Sequence, residues 1–182
     1  MPVALAVVVG EHEGMPFPSY RSFARNVGAD GMRRFLNIWP PYLFSSIHID
    51  RISADFREFD VTLRLRPWSQ NYVGTQFGGS LFAMCDPWWM IGTLRNLGER
   101  DYIVWDQAGE IDFVSPGRGH VRTSIRITDE LLDEVRAATE GGEKHLVWCS
   151  NDILSEDGQV VARYRKRLYV RRKPVKKQAI TA

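Results

Sequence analysis

Cysteine and histidine are scarce in this sequence: there are two of the first, Cys85 and Cys149, and four of the second. Two cysteines cannot build a disulfide framework, so a reduced, cytoplasmic chain is expected. His12, His48, His120 and His145 show no metal-ligand spacing, and no metal is expected. Long hydrophobic runs are missing as well. The opening MPVALAVVVG is apolar for only a few residues, with no basic start before it and no convincing cleavage site after it, and no stretch is long enough to cross a bilayer. Neither sign of charge is in excess: 24 Lys and Arg stand against 22 Asp and Glu, a net +2. That balance supplies no global field towards nucleic acid or a membrane, and no phosphate-cradling P-loop occurs.

What is present suffices for one substantial core: 44% of 182 residues are hydrophobic, so a single domain is expected. It should span residues 29–173, after a loosely ordered extension over 1–28 and before a basic tail over 174–182. Met32, Phe35, Leu36 and Trp39 at helical spacing predict a helix ended by Pro40-Pro41 and laid on the core as a lid. SIHIDRISADF and REFDVTLRLRPW predict a hairpin, with Val61, Leu63 and Leu65 alternating against Thr62, Arg64 and Arg66. The loop SQNYVGTQ leads to a very apolar helix from about Gly78 to Leu97, with Gly98 as its C-cap.

DYIVWDQAGEIDFV follows as a strand, with Ile103, Trp105, Gln107, Gly109, Ile111 and Phe113 on one face. HVRTSIRIT is the next, with Val121, Thr123, Ile125 and Ile127 on one side. DELLDEVRAATEGG is a short surface helix starting near Asp129, and KHLVWCSNDILS and QVVARYRKRLYVRR close the pattern about the turn Glu156-Asp157-Gly158. One long helix against a curved antiparallel sheet is an α+β architecture.

The long helix poses the functional question. A helix apolar all round is normally buried, and a lone carboxylate inside it must be satisfied, be neutralised or do chemistry. Asp86 stands among Phe82, Met84, Trp88 and Trp89, whose burial would raise its pKa as a useful base requires. Pro87 predicts either a kink that aims Asp86 or a break. Structural readings stand beside the chemical one. Asp86 could accept hydrogen bonds from backbone groups freed by the kink, Gly78-Gly79 could be an ordinary loop-to-helix junction, Asn71 a turn residue, and Trp88 and Trp89 core. Cys85 has no histidine near it in sequence and reads as a small buried hydrophobe. The basic run RYRKRLYVRRKPVKK reads chiefly as a solvated strand and frayed end.

NYVGTQFGGSLFAMCD, with strands on both sides in this order, resembles the hotdog-fold acyl-CoA thioesterases. NIWPPYLFSS, FGGSLFAMCDPWWM, DYIVWDQAGEIDFVSPGRG and LYVRRK are similar to the thioesterase-like branch of that superfamily known as a domain of unknown function, DUF4442. The likeness covers nearly everything after about residue 28. In the phenylacetyl-CoA type an Asn lies six residues before a His-Gly-Gly and an Asp lies eight after its first Gly; Asn71, Phe77, Gly78, Gly79 and Asp86 fall on those positions. Phe77 replaces the histidine, which in such enzymes mainly shapes the loop, and Gln76 is the nearest polar side chain.

The resemblance implies a hotdog fold, a long central helix wrapped by a curved antiparallel sheet, here with an extra N-terminal helix. It implies acyl-CoA thioester hydrolysis. The amides of Gly78 and Gly79 at a helix start would bind the thioester oxygen, Asp86 would act as base or nucleophile, and Asn71 would orient. Gln76, Phe77, Ser80, Phe82 and Trp89 would contact substrate. Coenzyme A is part of the substrate, so no separate cofactor is implied. Its phosphates would meet Arg or Lys from the basic run or from PGRGHVR. The partners expected are this small molecule and further copies of the chain, as a homodimer or homotetramer, because a strand over 101–115 would otherwise expose an unpaired edge. Nucleic acid and membrane are not expected. A non-catalytic hotdog module that binds acyl-CoA or fatty acyl groups is the alternative, and a dehydratase is the poorest reading, since no His lies near residues 71–90.

Overall fold

A computed structural model describes residues 27–174; the rest of the expected extension and tail, residues 1–26 and 175–182, lies outside the described residues. The elements run α1 (Ala29–Ile38), α2 (Pro40–Phe44), β1 (Ile47–Ile52), β2 (Glu58–Leu63), α3 (Gly78–Cys85), α4 (Trp88–Leu97), β3 (Tyr102–Phe113), β4 (Val121–Arg126), α5 (Asp129–Ala138), β5 (Lys144–Ser155) and β6 (Val160–Arg172). The strands form one sheet in the order β1-β2-β4-β5-β6-β3, every pairing antiparallel. The α3–α4 helix lies on one face of this sheet, which is the hotdog arrangement.

Met32 and Leu36 form the buried stripe of α1. Asn37 ties it to β1, accepting from the Ile49 N–H at 2.7 Å and donating to the Ile49 carbonyl at 3.0 Å. Pro40-Pro41 ends α1 as the spacing predicts, but it also opens α2, because proline's missing N–H is no loss in a first turn and its φ is already helical. Between helix and sheet, Trp88 packs on Phe59 with ring centroids 5.1 Å apart, in a core whose fully buried side chains include Ile49, Leu63, Met84, Ile125 and Leu168. Gly92 lets α4 press close: a Cβ there would lie 2.5 Å from Ile127. Thr128, rather than Asp129, caps α5, its Oγ1 accepting from the Leu131 N–H.

Strand β3 departs from the simple alternation. Its register with β6 shifts between Asp106 and Ala108. Val104 and Asp106 pair with Val170 and Leu168 on the inner side, Trp105 with the outward Tyr169; after the bulge, Gly109, Ile111 and Phe113 turn inward opposite Lys166, Tyr164 and Ala162. Ile103 and Trp105 therefore do not share a face with Gly109, Ile111 and Phe113, because one extra residue in a strand reverses every side chain beyond it. Among the described residues no helix is long and apolar enough to cross a membrane.

Candidate active site

The loop before α3 is held by its own side chains. Asn71 Oδ1 accepts from the N–H groups of Val73 at 3.1 Å and Thr75 at 3.0 Å, and its Nδ2 donates to Thr75 Oγ1 at 2.8 Å and the Gln76 carbonyl at 3.2 Å. Asn and Asp favour such turns because a short side chain can bond the backbone that follows. Buried Gln76 pins the end of the loop, donating from Nε2 to the carbonyls of Leu63 at 3.1 Å and Gly119 at 2.9 Å. Its Oε1 has no partner among the described residues.

Helix α3 then begins. The N–H groups of Ser80 and Leu81 both donate to the Phe77 carbonyl, which leaves the N–H groups of Gly78 and Gly79 outside the helical ladder at its positive end. Gly78 has a close neighbour: a Cβ there would sit 2.9 Å from the Phe113 ring, which would have to shift. Beside it opens a cleft of about 520 Å³ whose walls include Asn71, Gln76, Gly78, Leu81, Phe113 and Arg118.

At the other end of α3 the chain kinks. Asp86 (φ −54°, ψ −54°) and Pro87 (φ −87°, ψ −14°) stay in the right-handed region, so the helix bends into two segments without reversing. Proline removes the N–H that the Ala83 carbonyl would accept; the Asp86 N–H at 3.3 Å and the Tyr42 hydroxyl at 3.3 Å take its place. The Trp88 indole N–H donates to the Met84 carbonyl at 2.7 Å. The kink also leaves first-turn N–H groups of α4 outside the ladder, and among the described residues none of them donates to the Asp86 carboxylate. Its Oδ1 instead accepts from the Lys166 ammonium at 2.7 Å.

Lys166 is the residue that sequence reasoning missed. Its side chain is 3% exposed, and Asp106 Oδ2 meets the same ammonium at 3.3 Å. The signal was present in ARYRKRLYV: Ala162, Tyr164, Lys166, Leu168 and Val170 alternate onto the buried face, where a lysine is out of place. Burial pushes the Asp106 carboxyl above its usual range, the Asp86 charge adds to this, and the Lys166 charge and hydrogen bond work against it. Burial also pushes the Cys85 thiol up to about 12 and raises the Tyr164 hydroxyl, so neither carries charge at neutral pH.

The other expected site residues separate into three places. Phe77, Gly79 and Ser80 border a second recess with Phe44 and Trp68, in which the Phe77 ring is exposed. Phe82 stands edge-on to Tyr164 at 5.1 Å, over Gly109 and near the Lys166 ammonium. Trp89 reaches neither recess. It is buried, with its indole N–H on Asn151 Oδ1 at 2.9 Å, and serves the core. Asp86 is not enclosed by its apolar neighbours as the sequence suggests: its side chain is 48% exposed, because the kink turns it out of the core towards Lys166. Arg163 and Arg165 project from the outer face of β6, and Arg165 lies over Trp148 with its guanidinium carbon 4.6 Å from the ring.

Residues 28–170 match the family described as Domain of unknown function (DUF4442). The chain belongs to this family. No curated protein matches it in sequence. Among solved structures, it is similar to a protein of unknown function from Pseudomonas aeruginosa described as a probable thioesterase, with a TM-score of 0.66 at 17% identity, over 87% of this chain and 99% of that one. A protein of unknown function from Chlorobaculum tepidum aligns with a TM-score of 0.62 at 15% identity, over 82% and 99% of the two chains. A Haemophilus influenzae thioesterase aligns at 0.58 and 13% identity, over 84% and 95%. At such identities the likeness establishes the fold alone: this DUF4442 member has the hotdog fold.

Proposed function

We propose that this DUF4442 protein is an acyl-CoA thioesterase whose active site is completed by a second copy of the chain. The observation that carries this reading is the pairing on one helix of Gly78 and Gly79 amides that have no partner among the described residues, opening on a cleft, with a half-exposed carboxylate at the Pro87 kink. Asp86 lies eight residues beyond Gly78, roughly 12 Å along the axis at 1.5 Å per residue. A bound thioester oxygen and a water attacking the same carbonyl carbon are far closer than that, so one chain cannot supply both groups to one thioester.

A two-fold partner can. β3 ends the sheet, and among the described residues its outer edge is unpaired, with Trp105, Phe113 and Val114 exposed along it. Antiparallel pairing of two such edges sets the two helices in opposite directions, so the start of one faces the kink of the other. In that arrangement the Gly78 and Gly79 amides stabilise the negative charge growing on the carbonyl oxygen. Asp86 of the other copy takes a proton from water as its oxygen bonds to the carbonyl carbon. The C–S bond then breaks, the coenzyme A thiolate recovers that proton, and the acid departs. Arg118, on the cleft wall, would meet a coenzyme A phosphate.

Release of free thiol from a panel of acyl-CoA thioesters tests the activity, and an acyl-CoA binder without turnover would establish the non-catalytic module instead. Mixing two inactive variants, Gly78→Val and Asp86→Asn, tests the shared site: a mixed dimer keeps one intact site, so random exchange should restore about a quarter of parent activity. No recovery in mixtures shown to exchange subunits would place both groups in one chain.

A further inference from the structure

We propose that Lys166 is a positioning residue for Asp86, with Asp106 as a competing carboxylate that limits how tightly the ammonium holds it. This rests on the thioesterase reading of Asp86 and adds a role for two residues outside the motif.

Two independent features point to it. Lys166 occupies an inward position of β6, between Tyr164 and Leu168, where an apolar residue would pack at no cost in desolvation. The β3 bulge then turns Asp106 to the same side, within 3.3 Å of the ammonium. Burying that ammonium requires carboxylate partners, and of the two it meets, the one at the kink is held at the shorter distance. The ammonium takes Asp86 Oδ1 at 2.7 Å, tethering the carboxylate through one oxygen and leaving Oδ2 to meet water.

The charges that face this ammonium are few. The α3 kink supplies Asp86, with Cys85 beside it; β3 supplies Asp106; β6 supplies Tyr164; and β5 supplies Cys149, whose thiol burial pushes up to about 12. Glu134 of α5 acts on Cys149 from farther out and pairs with His145. With the thiols and the phenol neutral, one cation is shared by two carboxylates. Removing the cation makes Asp86 easier to protonate, and removing Asp106 leaves the cation to Asp86 alone, making it harder. The two substitutions therefore move the acid limb of activity in opposite directions.

The test compares parent, Lys166→Met, Asp106→Asn, the double variant and Asp86→Asn, reading kcat and KM against pH with an acyl-CoA substrate. A carbon-13 titration of the Asp86 carboxyl serves as a readout independent of turnover. Lys166→Met should lower kcat about tenfold to a hundredfold with KM little changed, since misplacing a reacting group by about 1 Å costs up to about a hundredfold. Its acid limb and carboxyl titration should move to higher pH; those of Asp106→Asn should move lower. If Lys166→Met does not fold, the double variant removes the uncompensated Asp106 charge, and its limb should still lie above that of the parent. Parent-like kcat and unmoved titrations in the lysine variants, while Asp86→Asn is inactive, would overturn the role of Lys166 and leave the thioesterase reading standing. Equal turnover by parent and Asp86→Asn would overturn that reading itself, whereas the carboxyl titration would still report whether Lys166 controls Asp86.

Discussion

The two ends of α3 solve the same electrostatic problem with different materials. At its start the positive pole is made of backbone: two glycine N–H groups outside the ladder, beside a cleft, with the Phe113 ring so close that a side chain on Gly78 would have to displace it. At its end the charge is made of side chains, one buried ammonium between two carboxylates that come from a helix kink and a strand bulge. A backbone pole is available wherever a helix begins and tolerates change in its surroundings. The ionic end depends on three residues far apart in sequence, and losing one leaves the others uncompensated.

The sharpest way to break this comparison is at the ionic end. Asp86→Asn preserves volume and should lower thioester turnover by about a hundredfold to ten-thousandfold, the range for loss of a positioned base, while circular dichroism and acyl-CoA binding stay near parent. Parent-like turnover would remove Asp86 from the chemistry. The backbone end should respond less. Gly78→Ala keeps its N–H but drives a methyl into the Phe113 ring, and a displacement of about 1 Å there should cost up to about a hundredfold in kcat. Phe113→Leu in the same chain should recover part of it, because the obstacle is that ring.

A third change separates the kink from the charges it presents. Trp88→Phe removes the indole donor from the Met84 carbonyl and should cost about 1–3 kcal/mol of stability in urea titration, the penalty for a buried group left unpaired. The lost ring volume adds a cavity cost to this, so an unchanged unfolding midpoint would show that neither the indole hydrogen bond nor its packing on Phe59 holds the kink. The smallest expected effect is on pH dependence. The folded-state pKa of Asp106 lies above its unfolded value near 3.8, so its contribution to stability is fully present below that pH and is lost as pH rises through the folded value. Asp106→Asn cannot lose it, so the variant should gain stability relative to the parent as pH climbs from about 3.8 towards neutrality, by paired denaturation curves. A constant difference across that range would mean that Asp106 does not titrate with folding.

The strands, the hairpin at β1 and β2, the apolar helix with its Gly98 cap and the Gly78-Gly79 start were readable because periodicity, turn residues and caps are local properties of the chain. Pro87 likewise announced the bend at Asp86, though not the direction of the carboxylate. The rest is long-range. The bulge that reverses β3 depends on its register against β6, so no alternation rule could assign Asp106 to the inner face. Trp89 read as core or interface more than as pocket, but its anchor was not readable: Asn151, 62 positions away, takes its indole N–H. Asn71 was marked by its spacing from the glycines, and the structure shows how it shapes the loop that presents them. By itself the sequence determined where a helix would start with free amides and that one carboxylate would stand within it. Only the tertiary structure decided what that carboxylate meets, because Lys166 lies 80 residues away and a charge pair across that separation exists only once the sheet has folded under the helix.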